Sequence, residues 1–467
     1  MTAKESVDVC WYFTAPWDPV SIRRGDALGF RAAADYFADL LAPGLSNSTV
    51  DARWITLLSW CLKWSHEAWR NAGGGELSRR DGQQGRYDWL RPLELLWVAR
   101  TLKAGQNTGQ LRGRRSIERW LKYGEQRPNF AMSPDQIRRY RQIGMYGAYR
   151  VVFRTTPGLT TGDGWTPAAT ALKLANLVND SLPEAARLKQ GQFENGTKWG
   201  CWRGGNEARY WLEHGWQSEW STNPRHGLLP TPDDAVGKPL PNEECFLLEP
   251  ALFAEGSTRR VTAEVLASAK APRNHAELCD ALANSSALSK KLDPASLVLL
   301  SDFTRFADAA MDAMRRLWNE INHDEAKQAP DIERLALSTE LRLGFDQLRA
   351  AGDAWLNSRN RSHFPHAQVV TQLADAMCDA RTPIEQLRAL ARHHYVHGGG
   401  RRWFGEQHGK LVPLVADTGI AASDYRFRLR PLCRLAAQCN VANMNHALDA
   451  LDAPEDRKPD DEEGDLL

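Results

Sequence analysis

Apolar residues recur at three- and four-residue spacings along most of the chain, a period that fits amphipathic helices and little else. In FRAAADYFADLLAPG, Phe30, Ala34, Phe37 and Leu41 share one face, and Pro43-Gly44 ends the run. A second helix is expected from Val50 to about Arg70, with Trp54, Leu57, Leu58, Cys61 and Leu62 turned inward. Pro92 at a first turn opens another, with Leu93, Leu95, Leu96, Val98 and Leu102 available for burial. From about residue 266 the period returns in LVLLSDFTRFADAAMDAMRRLWNEIN, DIERLALSTELRLGFDQLRAAGDAWL and HAQVVTQLADAMCDA. Thr382-Pro383-Ile384-Glu385 combines a capping box with Pro at the first helical position and starts a helix to about Val396. Arg426–Cys439 supplies one more.

Strand signals occur in two places. AYRVVFR, residues 148–154, alternates as a strand does, and GGGRRWFGEQHGKLVPLV reads as a β-hairpin with HGK at its turn. Ser133-Pro134-Asp135 starts a short helix carrying IRRYRQIG, GLTTGDG is a turn-rich connection, and Thr166-Pro167 caps a last helix. Helix, strand, turn and helix in that order suit a small winged-helix-like α+β module over 106–182, and a generic α+β arrangement equally. Residues 183–265 read as an irregular Trp/Gly/Pro-rich connection, with a short helix near Asn206–His214 and a long loop over Thr222–Glu244. The expected fold class is therefore mainly α. It has a helical N-terminal part (1–105), the basic module (106–182), the connection (183–265), a helical C-terminal domain with a hairpin (266–451) and a tail (452–467).

The chain has 467 residues, enough for two or three domains, and its 59 Lys and Arg nearly cancel 58 Asp and Glu. With 42% apolar residues, neither global disorder nor a polycationic mode of binding is expected. The tail from Asp452 holds eight acids and two bases and is expected to be disordered. No apolar run reaches the eighteen or so residues of a membrane helix. Glu5 and Asp8 interrupt the N-terminus, so the expectation is a cytoplasmic protein without a signal peptide or membrane contact. The eight cysteines form no CxxC pair, which points to reduced thiols.

Motifs for catalysis are absent. There is no phosphate loop, GxGxxG, GxSxG or HExxH, so no catalytic residue and no cofactor is assigned. His393 and His397 share a helical face and, with His408, resemble a metal-ligand set. Their place at a helix C-terminus before three glycines is better explained by capping, and no metal is assigned.

Charge provides the functional signal. Between Lys103 and Arg154 twelve bases, mostly arginine, face only Glu118, Glu125 and Asp135, a net of +9 in a chain whose total is +1. Arg112, Arg114, Arg115, Arg119, Lys122, Arg138, Arg139 and Arg141 are the expected nucleic-acid contacts, since guanidinium suits bidentate bonds to phosphate. Trp120, Tyr123, Tyr140 and Tyr146 interleave with them. A solvated face, or a face that docks an acidic protein, has the same composition. A second patch holds Arg401, Arg402, Lys410, Arg426, Arg428, Arg430 and Arg434. Arg401 and Arg402 join the expected contacts, whereas pairing with nearby carboxylates is the stronger expectation for the patch. Trp199, Trp202, Trp211, Trp216 and Trp220 suit the core of a loop-rich module better than a stacking pocket.

Two stretches carry a family resemblance. FADLLAPGLSNSTVDARWITLLSW, residues 37–60, and GQLRGRRSIERW with SPDQIRRYRQIGMY resemble an uncharacterised bacterial family found in restriction and phage-defence gene neighbourhoods. Ala42 stands where that family has a larger residue. RRWF at 401–404 extends the likeness, which covers about the first third of the chain. It implies a defence-associated role and supplies no activity or site residue. The combined expectation is a non-catalytic, DNA-contacting accessory subunit of an anti-phage system, working with an ATPase, helicase or nuclease. The alternatives are a nuclease of unrecognised motif and a protein-binding scaffold.

Overall fold

Capping side chains and apolar stripes set the helix boundaries. The computed structural model describes residues 26–71, 144–181, 240–322, 329–398, 402–414 and 425–452, with 86, 87, 89–91, 93–95, 97, 98, 102, 114 and 118. In chain order the helices are α1 (Arg31–Leu41), α2 (Ala52–Asn71), α3 (Met145–Thr155), α4 (Ala169–Ser181) and α5 (Asn242–Leu252). Then come α6 (Thr258–Ser268), α7 (His275–Ala283), α8 (Ser286–Ser289), α9 (Pro294–Asn322), α10 (Ile332–Leu335) and α11 (Thr339–Asn357). Next are α12 (Ala367–Asp379), α13 (Pro383–His397), strands β1 (Phe404–Gln407) and β2 (Lys410–Pro413), α14 (Leu429–Gln438) and α15 (Asn445–Asp452). The protein is thus mainly helical, and among the described residues the two-stranded hairpin is the only sheet. Ser257, Asn274, Ser285 and Ser338 each accept a backbone N–H at the start of α6, α7, α8 and α11, worth about 1 kcal/mol apiece. The Thr382–Glu385 capping box starts α13 as expected. The hairpin pairs Phe404 with Pro413 through Gln407 with Lys410, turning at His408-Gly409.

Several expectations need correction. Residues 148–154 are helix, not strand: Met145, Tyr146, Tyr149, Val152 and Phe153 are buried at helical spacing, while Val151 is exposed. The strand required by the winged-helix reading is therefore replaced by α3, and the part of that module over 119–143 lies outside the described residues. Residues 158–167 form a compact loop joined by a Thr160–Pro167 bridge. The helix after it starts at Ala169, with the Thr170 and Ala171 N–H groups donating to the Gly158 carbonyl. The connection read over 183–265 is helical from Asn242, because α5 and α6 occupy its end. Residues 331–356 are two helices, since Ser338 breaks the run to cap α11. Before Pro92, Arg86, Tyr87 and 89–91 are already helical, so Pro92 does not open that segment. The tail after Asp452, the 206–214 helix and the tryptophans from Trp199 to Trp220 lie outside the described residues.

The chain divides into two compact units. One holds Arg305–Tyr425 with the residues up to Ala33. Its core includes Phe306, Leu317, Phe345, Leu348, Trp355, Leu373 and Leu390, with α11 packed along α12. Beside β2, the Ile332 N–H donates to Gly409 and the Leu411 N–H to Pro330, which seats the hairpin. The other unit holds Ala34–Thr304 and Arg426–Glu455. There α2 packs along α4, burying Trp60, Trp64, Leu174 and Ala175. Trp60 meets Trp97 edge-on at 5.6 Å. No helix of the described residues is long and apolar enough to cross a membrane.

Candidate nucleic-acid interface

The described end of the basic segment is α3, and a buried ion pair fixes its N-terminus. Glu94, fully buried, accepts from the Met145 N–H at 2.6 Å and the Tyr146 N–H at 3.4 Å. Arg91 Nη1 donates to both Glu94 oxygens at 2.9 Å. The carboxylate thus satisfies orphan donors of the helix and opposes its positive end. Gly144 permits this approach, because a Cβ there would lie 1.6 Å from Arg91 Nη1. Tyr149 ties the middle of α3 to α2: its hydroxyl donates to the Asp51 carbonyl and accepts from the Asp51 N–H, both at 3.0 Å.

Arginines and aromatic rings alternate beside α3. Trp165 meets Tyr87 edge-on at 4.7 Å and Tyr146 at 5.0 Å. The Arg150 guanidinium lies 5.3 Å from the Trp165 ring, and Arg86 lies 5.9 Å from it and 3.8 Å over Trp69. Such contacts hold a guanidinium plane in place. Arg86 Nη2 also donates to the Trp165 carbonyl at 3.0 Å and to His66 Nδ1 at 2.7 Å. Burial, with Arg86 and Arg70 nearby, drops His66 to about 4, so it accepts as a neutral ring. Burial also lowers Arg86 to about 10 against the opposing pull of Asp163. Burial pushes Asp163 upward, but bonds from the Thr166 and Trp165 N–H groups and the Thr166 hydroxyl outweigh it and leave the carboxyl below its usual range.

The expected contacts fall out unevenly. Arg114 pairs with Glu118 at 2.8 Å on a partly exposed surface. Arg112, Arg115, Arg119, Lys122, Arg138, Arg139, Arg141 and Arg401 lie outside the described residues. Arg402 is exposed and lies 3.8 Å over the Tyr395 ring. The second basic patch is used by the fold. Arg426 donates to the Leu451 carbonyl, Arg428 to Asp35 and Asp39, and Arg430 to Asp452. Neither an extended nor a helical alternation describes its start, because Phe427 and Arg428 are both left-handed, at φ 48° and 59°. Such a pair costs about 1–3 kcal/mol per residue. The conformation buries Phe427 against Phe37, Phe303 and His275 and turns Arg428 to its two carboxylates. Arg434 is buried. Its charge favours the ionised form of Asp51, whose carboxyl also accepts from the Arg53 N–H and from Gln438, yet burial still pushes Asp51 up to about 6.

The histidines serve the fold in a way their spacing did not reveal. His393 Nε2 donates to the Leu28 carbonyl at 2.9 Å, and His394 Nδ1 to that of Ala27 at 2.8 Å. His394 Nε2 accepts from the Trp403 N–H at 3.0 Å, which fixes its tautomer. These carbonyls belong to the segment before α1 and not to the last turn of α13. Gly398 follows α13 at φ −57°, so it is not a left-handed cap. It is needed for space, since a Cβ there would meet the His394 carbonyl at 2.4 Å and the Ala27 carbonyl at 3.0 Å. Beside them Asp26 accepts from the Phe30 N–H and the Tyr425 hydroxyl. Among the described residues no group of three or more His, Cys, Asp or Glu is arranged to hold a metal.

Sequence reasoning missed Asp26, Asp51, Arg86, Arg91, Glu94 and Trp165. The oppositely charged residues at 91 and 94 inside an apolar run, and an Asp immediately before α2, were the available signals. Comparison with family models, with curated proteins and with solved structures gives no match.

Proposed function

We propose that the protein is a non-catalytic accessory subunit that contacts DNA through the Lys103–Arg154 segment, with chemistry supplied by a partner ATPase, helicase or nuclease of a bacterial defence system. The observation that carries the DNA reading is the net of +9 over that segment. The described residues at its end favour the same reading: α3 carries Arg150 and Arg154 and no acid. The defence context rests on the resemblance of residues 37–60 and of the two arginine-bearing stretches. Reversing Arg112, Arg114, Arg115, Arg138, Arg139 and Arg141 to Glu tests the DNA reading. Affinity should fall by orders of magnitude across sequences, because each change turns a phosphate attraction into a repulsion. A folded variant that binds DNA like wild type rejects it.

A further inference from the structure

We infer that the solvent strip at the C-terminal end of α13 binds single-stranded DNA, with Arg392 and Arg402 on its phosphates and Tyr395 against a base. The inference rests on the DNA reading above and adds to it a second surface and the form of strand this surface takes. Arg388, Arg392, Tyr395 and Val396 fall at i, i+4, i+7 and i+8 of α13, away from the face that buries Leu387, Leu390, Ala391 and His394. All four are exposed, Tyr395 at 50% and Val396 at 61%. Single exposed apolar residues are ordinary. These two adjoin one another and stand beside arginines. Arg402, from the segment before β1, is also exposed and lays its guanidinium 3.8 Å over the Tyr395 ring. That contact orders both groups without neutralising the cation. It covers one face of the ring, and half of the residue still meets solvent. Two carboxylates lie near the strip. Glu406 comes only within 4.0 Å of Arg388, and both side chains are about half exposed, so that pair contributes little. Glu385 accepts from the Arg381 and Thr382 N–H groups at the other end of α13. Among the described residues neither Arg392 nor Arg402 is paired with a carboxylate.

The same composition selects a single strand over a duplex. Single-strand sites join cations that track the backbone to aromatic rings on which bases stack. Duplex bases are already stacked on one another, so an exposed ring adds nothing to a duplex, whereas an unpaired base has a free face. Guanidinium supplies the phosphate bonds, and the ordered Tyr395 ring supplies the plate. A surface for an acidic protein would need the charges and not the ring, and the two kinds of variant below separate these cases.

The test uses the full chain with a labelled single strand and a labelled duplex of equal length, each titrated at several salt concentrations. Wild type should bind the single strand. Arg392→Gln with Arg402→Gln should flatten its slope of log affinity against log salt by about 1.4, at about 0.7 for each phosphate lost. Tyr395→Leu should weaken single-strand binding about fivefold or more at fixed salt and leave duplex binding as in wild type. Tyr395→Phe keeps the ring and should bind like wild type. If the Gln pair fails to fold, Arg392→Gln alone, at an exposed position, should flatten the slope by about 0.7. An unchanged single-strand slope in the folded Gln variant overturns the inference and leaves the Lys103–Arg154 reading standing. A Tyr395→Leu protein that binds the single strand like wild type, or that loses duplex binding equally, also overturns it, as does a wild type that binds only the duplex. Binding to neither nucleic acid removes the DNA reading, and this inference with it.

Discussion

Arg426, Arg428, Arg430 and Arg434 and the basic segment Lys103–Arg154 are both rich in arginine, and they differ in the acids their own sequence surroundings supply. Asp35, Asp39 and Asp452 receive Arg428 and Arg430, a backbone carbonyl receives Arg426, and Arg434 is buried where it favours the ionised form of Asp51. Within Lys103–Arg154 the sequence holds three acids against twelve bases, and at its described end the Trp165 ring lies 5.3 Å from the Arg150 guanidinium. A ring positions a guanidinium without neutralising it, whereas a carboxylate does both. Local arginine content therefore does not mark a binding surface. On the proposed function, an excess of arginine over the acids of the same segment is what would mark one.

The contrast can be broken by moving the effects of mutation between the two regions. The largest expected effect is the six-arginine reversal over 112–141, which should cost orders of magnitude in DNA affinity with an unchanged melting temperature. A large fall in Tm would place those arginines in the fold with the C-terminal ones. Next is Arg434→Met. It removes a 4%-exposed charge and should cost about 3 kcal/mol of stability in denaturant unfolding, while the folded fraction binds DNA as wild type. Smaller is Arg428→Ala, whose carboxylate partners are partly exposed, at about 1 kcal/mol. Weakened DNA binding by either variant when folded would dissolve the distinction.

The smallest effect is Asp51→Asn. Burial raises this carboxyl from 3.8 to about 6, so the folded state holds the proton more tightly than the unfolded chain. The resulting stability is fully present below pH 3.8 and is lost as pH rises through about 6. Asn keeps the acceptor for Arg53 and Gln438 without the charge. The variant should equal or exceed wild type by up to about 1 kcal/mol at neutral pH and lose that advantage on acidification. His66 and His393, both lowered to about 4, run the other way: their stability holds above pH 6.5 and is lost as pH falls toward 4. The difference between variant and wild type isolates Asp51 from them, and a variant less stable at pH 7 than at pH 4 relative to wild type would reverse the assignment.

Legibility in the sequence followed how local the signal was. The α13 start is complete within four residues, and the hairpin declares itself through HGK between two apolar runs, so both were readable. The segment 148–154 misled because Tyr149, Val151 and Phe153 alternate. The residues that settle it as helix, Met145 and Tyr146, are held by Glu94, about fifty positions earlier. Helix α5 was hidden by Pro241 at its start and Pro250 within it. Of the candidate interface, the charge excess was legible as arithmetic. The Trp165 contacts with Arg86 and Arg150 join residues 86, 150 and 165, and no spacing rule predicts that meeting. The C-terminal capping read for the histidines is replaced by bonds from His393 and His394 to the Leu28 and Ala27 carbonyls, more than 360 positions away and beyond any spacing rule.

The proposed function implies that the Arg112–Arg141 arginines meet DNA and that Arg428 and Arg430 do not. Its most direct measurement is the salt dependence of DNA affinity for three full-length proteins: wild type, the six-arginine reversal, and Arg428→Gln with Arg430→Gln. Counterion release makes the slope count phosphate contacts. A steep wild-type slope that survives the 428/430 changes and collapses in the reversal is the predicted result. Equal slopes in all three, or a collapse confined to the 428/430 variant, would contradict the account.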